Sequence, residues 1–68
     1  MLDGNLLRRL MAAKGYGMTE LARACKISRS ALYRKVGGKA PFTVREADIL
    51  ARALAMTSQE RTRIFFAR

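Results

Sequence analysis

Arg23, Lys26, Arg29, Arg34, Lys35, Lys39 and Arg45 lie between Glu20 and Glu46 with no carboxylate among them. Cations without acidic neighbours are available to an anion from outside the chain. Ten of the fourteen basic residues are Arg, whose planar fork matches phosphate oxygens and base edges. Set against five carboxylates, they leave a net charge of +9 on 68 residues. A surplus of this size implies a polyanionic partner, and nucleic acid fits it better than an anionic membrane or a merely solvated basic surface.

Other chemistry is poorly supplied. The chain has no His. Cys25 stands alone, which leaves no intrachain disulfide and no Cys-rich metal site. It continues an apolar stripe, so a buried, inert thiol is expected. Glu46 and Asp48 point to different faces of their helix and cannot work as a pair. No metal-ligand spacing or phosphate-cradling Gly loop is present. The expectations are therefore no catalytic residues, no metal, no cofactor and no small-molecule ligand. The start of the chain does not read as a signal peptide, and no apolar run nears the roughly 18 residues of a membrane span. A soluble protein of the cytoplasm, without a membrane partner, is expected.

The cations must be held by helices. Apolar spacing is helical throughout, no segment alternates with period two, and the length suits one domain over residues 1–68. The first helix is predicted over Asn5–Ala13, with Leu6, Leu7, Leu10 and Met11 on one face, capped by Asp3 or Asn5 and stopped at Lys14-Gly15. The second runs over Met18–Cys25 from a cap at Gly17 or Thr19, burying Met18, Leu21, Ala22 and Cys25. After only Lys26-Ile27-Ser28, Ser28 caps a third helix over Arg29–Val36, with Leu32 and Val36 inward. A loop from Gly37 to Phe42 is stiffened by Pro41, and Phe42 is expected in the core. Thr43-Val44-Arg45-Glu46 reads as a capping box for a fourth helix to Ala55, burying Ala47, Leu50, Ala53 and Leu54. Thr57-Ser58-Gln59-Glu60 reads as a second, opening a fifth helix to Ala67.

Two short helices joined by a three- or four-residue turn form a helix-turn-helix. Close crossing needs a small residue, and Ala22 supplies it; Ile27 and Leu32 fill the corner. With Leu32 at the centre of the buried face, Ser30 falls near 160° and Tyr33 near 100°, with Arg34 near 200°, at about 100° per residue. Arg29 lies at the helix start, where side chains reach furthest into a groove. Arg29, Ser30, Tyr33 and Arg34 are therefore the candidates for base edges. Phosphate contacts are expected from the second helix's N-terminus at Met18 and Thr19, from Ser28, and from Lys35, Lys39 and Arg45.

The stretch MTELARACKISRSALYRKVGGK resembles the phage repressor and Cro (Xre) family of helix-turn-helix regulators. PFTVREADILARAL and TSQERTRIFF look like its continuation in small phage-type members. The resemblance covers nearly the whole chain. It implies an all-α five-helix bundle of the lambda-repressor-like type, with the helix-turn-helix at helices 2 and 3. It further implies a bacterial or phage transcriptional regulator, double-stranded operator DNA as partner, and often a homodimer. Lys26 departs from the pattern, since the family usually has Gly there; a left-handed Lys26 is predicted. The other functional class to weigh is a helix-turn-helix that binds protein, antitoxin-like or polymerase-binding. Apolar residues on the outer face of the third helix would favour it, but Arg29, Ser30 and Arg34 stand there. Ile64, Phe65 and Phe66 span about 200° of a helix, more than one core can cover. A homodimer contact through them is expected, with a wide core or a frayed end as alternatives.

Overall fold

The computed structural model describes residues 2–66. Its elements are α1 (Gly4–Lys14), α2 (Met18–Cys25), α3 (Arg29–Val36), α4 (Val44–Ala53) and α5 (Ser58–Arg61), which runs on into a π-helical turn (Thr62–Phe66). There is no strand among the described residues, and no helix there is long and apolar enough to cross a membrane.

Each helix starts where a cap is available. The Asp3 carboxylate accepts from Leu6 N–H at 3.1 Å, settling the first cap in its favour over Asn5. Ser28 Oγ accepts from Ala31 N–H at 3.0 Å. Thr43 with Glu46 and Thr57 with Glu60 form both predicted capping boxes. The exception is α2, whose cap is Gly17, with no side chain to offer.

Four helices end alike. One or two residues past each, the chain turns left-handed: Gly15, Lys26, Gly38 and Ala55. The next N–H reaches back five residues: Tyr16 to Met11, Ile27 to Ala22, Lys39 to Arg34 and Met56 to Ala51, at 2.8–3.0 Å. This is the Schellman arrangement, which satisfies carbonyls that the helix leaves unpaired. Glycine adopts it freely, whereas Lys26 (φ 58°) and Ala55 (φ 48°) do so at a cost of roughly 1–2 kcal/mol each. The predicted left-handed Lys26 is present. The fourth helix ends at Ala53, two residues before the predicted Ala55, because Ala55 takes the capping conformation.

The core is built from Leu7, Met11, Leu21, Ala22, Cys25, Leu32, Val36, Leu50, Leu54 and Ile64. Leu6, Leu10, Met18, Ile27, Phe42 and Ala53 are only partly buried and pack around it. α2 packs on both α3 and α4, and α1 on the π turn. Asp3 N–H donates to the Ile64 carbonyl at 2.9 Å, tying the first helix to the last turn. α1 also abuts the end of α3: a Cβ at Gly4 would lie 2.8 Å from the Val36 carbonyl oxygen.

The fifth helix was expected to be α-helical to Ala67, and that last position lies outside the described residues. From Thr62 onward the winding is π, with hydrogen bonds spanning five residues instead of four. Ile64 is fully buried there, Phe65 half-buried and Phe66 exposed.

Two stability outcomes follow. Lys26→Gly and Ala55→Gly should each raise the melting temperature, by the equivalent of about 1 kcal/mol; a lower melting temperature would contradict the strain. Gly4→Ala should lower it by about 1–3 kcal/mol, because the obstacle is backbone and cannot swing aside. An unchanged melt for that variant would show that α1 does not press on α3.

Candidate nucleic-acid interface

The corner between α2 and α3 sets which residues face outward. Ala22 and Leu32 are buried, Ile27 is partly buried in the turn, and Lys26-Ile27-Ser28 is the whole connection. With Leu32 and Val36 held in the core, Arg29, Ser30, Tyr33 and Arg34 all emerge exposed on the opposite side of α3. These are the four residues expected to reach base edges. The Arg29 Cζ lies over the Tyr33 ring, 5.5 Å from its centroid, within cation–π range.

All five carboxylates already have partners within the chain. Asp3 caps α1 and pairs with Arg63 at 3.6 Å. Asp48 pairs with Arg52 at 3.1 Å and Arg61 at 3.4 Å. Glu60 accepts from Thr57 N–H, and Glu20 from Gly17 N–H at 3.1 Å. Glu46 accepts from Thr43 N–H at 2.9 Å and from Lys35 Nζ at 2.5 Å. Among the described residues, Arg23, Lys26, Arg29, Arg34, Lys39 and Arg45 are exposed and enter no ion pair. These six charges on α2, the turn, α3 and the following loop are therefore unpaired among the described residues, whereas Lys35 on α3 is matched by Glu46.

A profile of the helix-turn-helix domain matches residues 4–64 of the 68. The chain belongs to the helix-turn-helix domain family. Searches of curated proteins and of solved structures give no match. The family is one of DNA-binding regulators, and the all-helical architecture agrees with it.

Within this helix-turn-helix domain, several expected contacts stand where DNA could meet them. Thr19, Ser28, Lys39 and Arg45 are exposed. Ser28 Oγ already accepts the Ala31 N–H, which leaves its hydroxyl proton to donate. Met18 packs its side chain against the core, so only its backbone N–H is available. No side-chain cap covers the start of α2, although the Glu20 carboxylate takes Gly17 N–H.

Two expectations are corrected. Lys35 is not an outward phosphate ligand: its side chain is 15% exposed and its ammonium is bound to Glu46. Its position lies between the outer face and the core, and the buried carboxylate opposite draws it inward. Ile64 is not part of an exposed interface, because it is fully buried and belongs to the core. Phe65 and Phe42 meet edge to face, with ring centroids 5.3 Å apart, and Phe66 alone of the three is exposed.

Sequence reasoning missed the brace between Lys35 and Glu46. Eleven residues separate them, too far for any helical-neighbour rule. Burial alone would push the Glu46 carboxyl up, but the Lys35 ammonium and the Thr43 N–H outweigh it and hold it below its ordinary value. Burial, helped by the nearby Glu46 charge, pushes the Cys25 thiol up, consistent with an inert core thiol.

Glu46 binds fewer protons folded than unfolded, so its contribution is complete above its unfolded pKa, near 4.5, and is lost as pH falls through the lower folded value. Glu46→Gln should cost about 3 kcal/mol at neutral pH by leaving Lys35 buried without its partner. It should also flatten the acid-side decline of the melting temperature. Adding Lys35→Met should recover most of the loss, since an apolar side chain needs no partner. A double variant no more stable than Glu46→Gln would contradict the brace.

Proposed function

We propose that this chain acts as one domain that binds double-stranded DNA sequence-specifically, as a transcriptional regulator of the phage repressor or Cro type. α3 enters the major groove. Arg29 and Arg34 read guanine edges, Ser30 meets a neighbouring base, and Tyr33 stands at the base edges beside Arg29. The Met18 and Thr19 amides, Ser28, Lys39 and Arg45 hold phosphates on either side. The observation that carries this is the exposed cationic outer face of α3, whose charges no carboxylate of the chain pairs among the described residues. Nothing in this arrangement calls for catalysis or a cofactor, and its place of action is the bacterial cytoplasm, on the nucleoid.

We also propose a homodimer through Phe65 and Phe66. Phe66 is 53% exposed and Val44 75% exposed. Both line a groove of about 470 Å³ with Leu2, Phe42, Ala47 and Phe65. A two-fold dimer requires a pseudo-palindromic operator with half-sites about one helical turn apart. The same groove is what favours the second reading, a helix-turn-helix that binds another protein, with DNA secondary.

Selection of bound duplexes from a random pool, followed by binding across a salt series, tests the proposal. Wild type should enrich a motif, and log K should fall with log salt by about 0.9 per phosphate contacted. Arg34→Ala should lose about 1–3 kcal/mol on the motif and little on random DNA. Lys39→Ala should weaken all sequences alike and reduce the slope by about 1. Equal loss on motif and random DNA for Arg34→Ala would refute its role in base reading.

A further inference from the structure

Arg29 and Tyr33 stand four residues apart on α3, one turn above the other, and both are exposed. Tyr33 takes no part in the core. Among the described residues the Arg29 guanidinium has no hydrogen bond and no ion pair. Its one partner is the Tyr33 ring, 5.5 Å below Cζ. A ring of this kind uses none of the guanidinium's N–H groups, so all five donors stay available to a base edge. A carboxylate partner would have taken two of them. A free Arg at a helix start samples many rotamers, and reading a guanine through two parallel hydrogen bonds requires one of them.

We propose that Tyr33 is a positioning residue: its ring holds Arg29 in place, and the two together read a single guanine. This rests on α3 lying in the major groove as proposed above. It differs from an independent Tyr33 contact to a thymine methyl or a phosphate in where the loss falls. If Tyr33 acts through Arg29, removing the ring weakens selection at the base pair that Arg29 reads. If it touches DNA on its own account, the loss falls elsewhere.

The test combines a measurement on the free protein with one on DNA. In the free protein, the Arg29 side-chain proton resonances should be shifted upfield by the ring current. That shift should disappear in Tyr33→Leu and persist in Tyr33→Phe. In duplex selection, Arg29→Ala and Tyr33→Leu should lose guanine preference at the same position, Tyr33→Leu by about two- to fivefold. Tyr33→Phe should keep the preference, and the Arg29→Ala/Tyr33→Leu double variant should be no worse at that position than Arg29→Ala alone. Melting temperatures should stay near wild type throughout, because both side chains are exposed. Three results would overturn the proposal: no upfield shift in wild type, a Tyr33→Leu loss at a different base, or equal loss in Tyr33→Phe. Failure of wild type to enrich any motif would remove the base-reading proposal itself, whereas an enriched motif with the loss displaced would remove only the pairing of the two residues.

Discussion

Ala22 on α2 and Leu32 on α3 are both buried, and the chain has only Lys26, Ile27 and Ser28 in which to turn between their helices. Everything that faces outward depends on that corner. A short connection leaves few directions for α3, and the small side chain of Ala22 lets the helices approach closely. Lys26 must turn left-handed to close α2, although it carries a Cβ. Ser28 then caps α3 at once. With the direction of α3 fixed and Leu32 and Val36 inward, helix periodicity alone sends Arg29, Ser30, Tyr33 and Arg34 to the outside.

The far end of α3 is held by different means. Gly4 lets the start of α1 press against the Val36 carbonyl, and Lys35 reaches Glu46 on α4. Glu46 serves two neighbours with one carboxylate oxygen, Lys35 and the Thr43 amide. The carboxylate that caps α4 is thus also the one that anchors α3. A chain of this size buries a small core, and polar braces of this kind add to what holds it. They also consume carboxylates. With all five so used, the cations of α2, α3 and the loop other than Lys35 enter no ion pair among the described residues and are left to an external anion.

What could be read from residues alone follows the range of the forces involved. α2 and α3 lie where the periodicity and Ser28 place them, and the two capping boxes fix the starts of α4 and α5, because all these signals act within four residues. The outward set on α3 follows from the same local geometry. What failed was set by distant groups. Lys35 resembles any other cation of the loop until Glu46, eleven residues on, is folded beside it. Ile64, Phe65 and Phe66 look equivalent in sequence, yet the π winding and the neighbouring Phe42 give each a different environment. Ala55 has no glycine to announce a helix end, so α4 was expected to run longer. The stack of Arg29 on Tyr33 obeys the four-residue rule but needs coordinates to separate it from an ordinary exposed pair.

Backbone amide shifts on titrating the labelled protein with duplex DNA test the central claim most directly. The largest changes should fall on Arg29 to Arg34, on Met18 and Thr19, and on Lys39, with the Phe42, Phe65 and Phe66 groove changing little at subsaturating DNA. Changes concentrated on that groove, with the outer face of α3 silent, would contradict it.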